Sequence, residues 1–326
     1  MSSRVGPAAA ATFAGGAVFA LQTRVNGELG SRSGAAVWAA LVSFGSGLLL
    51  LAALIPLLPP VRRALRPAVR DRLPWWAYSG GLSGATAVAV SAVAVPRVGV
   101  ATYTVGVVAG QAIGGLRVDR AGISPGGPRP LTATRVGGSL LAVAAVALIR
   151  LAHTGGATSG GVVLALLLAA AASGAWISVQ QALNGRVQRA TGQPLLAALV
   201  NFAVGTGALL VGFGVVAATG HGPTHPWPAA GWLYAGGALG IVYIATAAWT
   251  VRPLGVLRLG LLTVAGQLAG GVLIDLVSPA AGASVGPVTV IAVLLTLVGV
   301  AIAGHDPQSR SRRRTSATET ATPTAR

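Results

Sequence analysis

Gln22 and Asn26 stand four residues apart at the end of an apolar run, in LQTRVNGELG (21–30). Gln180 and Asn184 repeat them, with Gln181 adjacent, in VQQALNGRVQ (179–188). Four residues is about one helical turn, so each amide pair shares a helix face. A second pair, Gln111 and Gln267, lies in the small-residue stretches Gly110-x3-Gly114 and Gly266-x3-Gly270. Asp119 and Asp275 each follow eight residues later. Amides donate and accept hydrogen bonds without titrating. In an apolar chain they can line a path for a polar solute, or they can tie helices together. Asn-Gly is also a turn and helix-stop pair, so 26–27 and 184–185 read as helix ends.

Other chemistry is poorly provided for. No Cys is present, which excludes thiolate metal sites and a Cys nucleophile. His153, His221, His225 and His305 lie between or after the apolar runs, and Gly222, Pro223 and Pro226 keep His221 and His225 off a common helix face, so no metal site is expected. Serines are plentiful, yet no His or Lys sits in an apolar run to activate one. No phosphate-binding loop occurs, and neither an enzyme nor a cofactor site is expected. The carboxylates nearest the amides are Glu28, Asp119 and Asp275, candidates for gating or for coupling to an ion.

These residues are set in a chain of 326 residues that is 53% hydrophobic and 9% charged. Soluble domains carry about 25% charged residues. The composition therefore predicts an all-α integral membrane protein with the lipid bilayer as its partner. Apolar runs long enough to cross it lie near 7–25, 35–58, 75–95, 99–117, 131–149, 160–184, 194–218, 231–251, 255–274 and 286–303. The connections, such as 59–74, 117–130 and 219–228, read as turns and charged loops. From His305 the chain is rich in Arg, Ser and Thr and reads as a disordered basic tail (304–326).

The net charge of +17 does not point to nucleic acid. All 23 basic residues are Arg, and alternating the connections between two sides puts 19 on one side and four on the other. By the positive-inside rule both termini are cytoplasmic in an inner (plasma) membrane. Trp75, Trp76 and Tyr78 then fall at the inner interface, and Trp227, Trp232 and Tyr234 at the outer one.

The amides recur because the chain is a duplication. Shifted by 158, residues 16–47 align with 174–205 without a gap, with twelve identities that include Gln22, Asn26, Gly27, Gly34, Phe44 and Gly47. At a shift of 156, WAYSGGLSG (76–84) meets WLYAGGALG (232–240), and GQAIGGLRVD (110–119) meets GQLAGGVLID (266–275). The halves, 1–150 and 151–303, each hold five spans. An odd number predicts inverted-topology repeats, as in many secondary transporters. The first and ninth spans run outward and the fourth and sixth inward. Gln22, Asn26, Gln267 and Asp275 are then expected near one mouth, and Gln111, Asp119, Gln180 and Asn184 near the other, as paired gates.

The Q-x3-N-G after the first span, the L-V-x-F-x2-G of the second and the G-Q-x7-D of the fourth resemble the YdcZ-like proteins of the drug/metabolite transporter superfamily. Those are five-span units, and this chain looks like two of them fused, over about 7–303. The resemblance implies a ten-helix exporter of a small-molecule solute. The related small multidrug resistance proteins carry a carboxylate inside the first span; here Glu28 lies beyond Asn26-Gly27. Few embedded charges favour a neutral, zwitterionic or amphipathic solute. The alternative is a membrane scaffold or partner subunit that transports nothing.

Overall fold

The structure is a computed structural model that describes residues 5–70, 73–123, 127–128, 130–152, 160–220, 222–279 and 285–304. The basic tail beyond 304 and His153, His221 and His305 lie outside the described residues. Among the described residues the chain is helical and carries no strand. Its helices are α1 (Val5–Ser33), α2 (Ala36–Leu54), α3 (Pro59–Arg70), α4 (Gly80–Val98), α5 (Val100–Arg120), α6 (Ala133–Ala152), α7 (Gly160–Thr191), α8 (Pro194–Ala218), α9 (Gly236–Val277) and α10 (Pro287–Gly304). Five segments are long and apolar enough to cross a membrane: Ala36–Leu57, Trp75–Val98, Gly160–Thr191, Pro194–Ala218 and Leu259–Val277. Shorter apolar helices occupy Ala133–Ile149, Gly236–Ala247 and Pro287–Ala303.

The expected helix ends at Asn26-Gly27 and Asn184-Gly185 are wrong. Both pairs lie inside helices, which run on to Ser33 and Thr191. The stop signals are Gly34 and Gly192, at φ of +68° and +67°, a conformation that costs a residue with a Cβ. The hydroxyl before each glycine caps the turn: Ser33 Oγ donates to Leu29 O at 2.7 Å, and Thr191 Oγ1 to Val187 O at 2.9 Å. Asn-Gly continues as helix because tertiary packing buries it, which overrides a weak local propensity.

Spans expected at 231–251 and 255–274 both fall within α9, with no non-helical residue between them. Its two limbs nevertheless lie side by side. A methyl on Gly15 of α1 would sit 3.1 Å from Thr246 Cγ2, while a methyl on Gly266 would overlap the Phe13 carbonyl. In a straight helix Thr246 and Gly266 would be about 30 Å apart. Both meet the same turn of α1, so the chain reverses direction between the limbs. In the first half the corresponding reversal is at Gly99, at φ +81°, between α4 and α5.

Contacts recur in pairs. Gly16 packs on the backbone at Thr263 and Gln267, and Gly174 on that at Val107 and Gln111. Gly240 faces Gln22 and Gly84 faces Gln180; Gly236 faces Asn26 and Gly80 faces Asn184. Each pair maps onto the other under the shifts that align the sequence. Equivalent helices also meet each other. In α2 and α8, Gly47 meets Phe202 while Gly205 meets Phe44. In α6 and α10, Gly138 abuts Ala303 while Gly299 abuts Ala142. Rising numbers in one helix meet falling numbers in the other, so equivalent helices run antiparallel. Glycine carries these contacts because only a missing Cβ lets the backbones approach so closely.

The connection 59–74, expected to be a loop, contains α3. Val61 is buried with Leu51 and Ile55, Ala64 and Leu65 pack against the same cluster, and Arg62 and Arg63 are exposed. Arginine and alanine are good helix formers, and Pro59 and Pro60 are tolerated in a first turn.

Candidate functional site

Each amide pair meets the start of a helix from the other half. At one end Gln22 Nε2 donates to Gly236 O at 2.9 Å. A methyl on Gly236 would lie 2.5 Å from Asn26 Oδ1 and 2.6 Å from Ser43 Oγ; one on Gly240 would lie 2.8 Å from Gln22 Nε2 and 3.2 Å from Phe202 Cζ. At the other end a methyl on Gly84 would lie 2.8 Å from Gln180 Nε2 and 3.0 Å from Phe44 Cζ, and one on Gly80 would lie 3.1 Å from Asn184 Oδ1. Glycine in the first turns of α4 and α9 makes the room for the amides. Both clusters thus join an amide pair, two glycines and a phenylalanine.

The two clusters differ in one residue. At position 201 the second half has Asn, and Asn201 Nδ2 donates to Asn184 Oδ1 at 3.3 Å. The equivalent residue in the first half is Ser43, too short to do the same. Asn26 Oδ1 and Ser43 Oγ are buried without a hydrogen-bond partner. A buried acceptor without a donor costs about 1–3 kcal/mol.

Phe44 and Phe202 lie between the clusters, with ring centroids 5.2 Å apart and planes tilted by 54°. Both are 4% exposed. Sequence reasoning used Phe44 as a repeat and family marker and did not place it in the site. The signal was its identity with Phe202 among polar neighbours, Ser43 and Asn201, that also align.

Gln267 and Gln111 are not level with the other amides. Gln267 lies beside Gly16, six residues before Gln22 in α1, and Gln111 beside Gly174, six before Gln180 in α7. Six residues is about 9 Å along a helix. They fall inside the two end layers rather than in them. Gln267 is 2% exposed and its Oε1 has no partner, while Gln111 is half-buried and its carbonyl accepts from Ser178 Oγ at 3.0 Å. Gln181 is exposed and joins neither cluster.

The carboxylates are held in structure. Asp275 accepts from the amides of Val100 at 3.0 Å and Ala101 at 2.8 Å, so a side chain of α9 closes the first turn of α5. Asp119 pairs with Arg135. Glu28 is bracketed by Arg24 at 3.4 Å and Arg32 at 2.8 Å. Arg24 also reaches Ser278 at 3.3 Å, and Arg32 lies 5.9 Å from the Trp232 ring. At the opposite end the residue aligned with Glu28 is Arg186. It donates to Ile123 O at 2.6 Å and Gly122 O at 3.1 Å, and lies 5.1 Å from the Trp76 ring. Each end is therefore closed by arginine on tryptophan and on the C-terminus of a neighbouring limb.

The two ends are covered differently. Over the end of α1 the segment 222–228 folds back. Thr224 N donates to Ser33 O at 3.2 Å, and Trp227 meets Trp38 edge-on at 4.8 Å. A methyl on Gly34 would overlap Thr224, whereas one on Gly192, at the end of α7, would meet nothing within 4 Å. Ser33 and Asn26 are each 1% exposed, whereas Thr191 and Asn184 are half-buried.

A family model described as "Putative inner membrane exporter, YdcZ" matches the chain twice, over residues 8–148 and 165–302. No curated protein matches it.

Proposed function

Because the chain belongs to the YdcZ inner membrane exporter family and carries that unit twice, we propose that it moves a small solute across the inner membrane by alternating access. The observation that carries this reading is the pairing of contacts. The glycine contacts of Gln22 and Asn26 have counterparts at Gln180 and Asn184 with the halves exchanged, and α2 with α8 and α6 with α10 run antiparallel. In this reading ten spans, counting both limbs of α9, form two inverted repeats with both termini in the cytoplasm. Inverted halves give two conformations of similar energy, open to opposite sides.

Gln22 with Asn26 guards one mouth, and Gln180 with Asn184 guards the other. The Phe44–Phe202 pair separates them. Gln111 and Gln267 line the inner path on either side of the rings. A passing solute exchanges its water for amides, then meets aromatic faces. No ionised side chain belongs to either amide cluster, which favours a neutral, zwitterionic or amphipathic solute. Glu28, Asp119 and Asp275 hold helix ends in place and bear on opening through those contacts. A non-transporting scaffold would have no use for two symmetric amide gates around a movable aromatic pair.

The test is flux of a panel of neutral and zwitterionic solutes in proteoliposomes, with and without a proton gradient. A solute moved by the wild-type chain should be moved at least tenfold more slowly by Gln22→Leu and by Gln180→Leu. Unchanged flux in both variants removes the gate assignment, and absence of flux for the whole panel favours the scaffold.

A further inference from the structure

We propose that α3 and the turn after it form a binding surface for anionic phospholipid. The duplication makes the case. In the first half, 58–74 joins α2 to the Trp75–Tyr78 turn. In the second half, 219–230 joins α8 to the equivalent Gly231–Tyr234 turn. That second connection contains no arginine and, among its described residues, no helix. The same join is made without α3, so α3 is not required by the topology.

Its chemistry is that of a membrane surface. Val61, Ala64 and Leu65 fasten one side to the α2–α8 cluster. Arg62 and Arg63 project from the other side, and Arg66 and Arg70 follow Arg62 at four-residue steps in sequence. Just before the helix Leu57 is 75% exposed, and five residues after it Trp75 is 83% exposed. Exposed apolar side chains beside guanidinium groups match acyl chains beside phosphates. The helix leaves α2 directly, at the end of a segment long and apolar enough to cross the membrane. Arg62 and Arg63 are therefore at headgroup level, and the partner is lipid rather than a soluble anion.

The experiment uses the full chain, extracted from liposomes of phosphatidylcholine and phosphatidylglycerol, with retained lipid counted by native mass spectrometry. Wild type should retain phosphatidylglycerol in preference. Each surface arginine is worth about fivefold in attraction to an anionic membrane, so Arg62→Gln/Arg63→Gln should lower that preference by about 25-fold. Arg62→Lys/Arg63→Lys, which keeps the charge, should hold it within about fivefold, and a fold control is provided by its thermal midpoint. No preference in wild type, or equal preference in the Gln pair, overturns the proposal. Displacement of the lipid by millimolar inorganic phosphate also overturns it, because the surface would then be a free-anion site.

Discussion

Phe44 and Phe202 occupy the same place in the two halves of the chain and touch each other, with centroids 5.2 Å apart. Each therefore sits where the two repeats meet. Each ring also leans towards the glycine and glutamine of one amide cluster, Phe44 to Gly84 and Gln180, Phe202 to Gly240 and Gln22. The pair thus links the two amide clusters through one ring contact.

Equal roles predict equal effects. Phe44→Ala and Phe202→Ala should each destabilise by about 3–5 kcal/mol, the usual cost of emptying a buried aromatic site. The double variant should cost less than the sum by about 0.5–1.5 kcal/mol, the share belonging to the ring pair. Thermal unfolding of purified protein in detergent measures all three. Strongly unequal single variants would show that the two rings do not have equal roles.

Asp275 acts as a cap supplied from another helix. Removing such an acceptor costs about 0.5–2 kcal/mol. Asp275→Ala should therefore lower the unfolding midpoint, while Asp275→Asn, which keeps one acceptor, should lower it less. Flux in proteoliposomes should follow stability in this pair. If Asp275→Asn kept full stability but lost all dependence on a proton gradient, the carboxylate would be a coupling group instead.

Ser43→Asn should repair the unpaired cluster. Asn201 already makes this bond to Asn184 in the other half, and a new amide at 43 has the same geometry towards Asn26. The gain should be about 0.5–1.5 kcal/mol, the net worth of one hydrogen bond. The reverse change, Asn201→Ser, should lose a similar amount. A loss of stability in Ser43→Asn would show that the space beside Asn26 is already filled.

Coverage by 222–228 predicts unequal access to the ends of α1 and α7. The chain has no native cysteine, so single substitutions report without background. Thr191→Cys should react with a membrane-impermeant maleimide at least tenfold faster than Ser33→Cys in detergent, where both sides are open to reagent. Equal rates would mean that the segment does not cover the end of α1.

Much of this protein was legible in one dimension. Hydropathy and arginine placement marked the membrane, because burying charge in hydrocarbon is costly wherever the helices pack. The repeats of Gln22, Asn26 and Phe44 marked the duplication, because equivalent surroundings keep equivalent residues. Local chemistry also stopped α1 and α7 at Gly34 and Gly192, although Asn26 and Asn184 looked like the stops. Tertiary structure decided the rest. Asn-Gly stays helical because α9 and α4 cover it. Asp275 was an unexceptional carboxylate until the fold set it against Val100, 175 residues away in the chain. The sequence set which residues are paired, since a duplication is a relation between positions. Which of those pairs touch depends on how the two halves pack against each other, and that is a property of the packed chain alone.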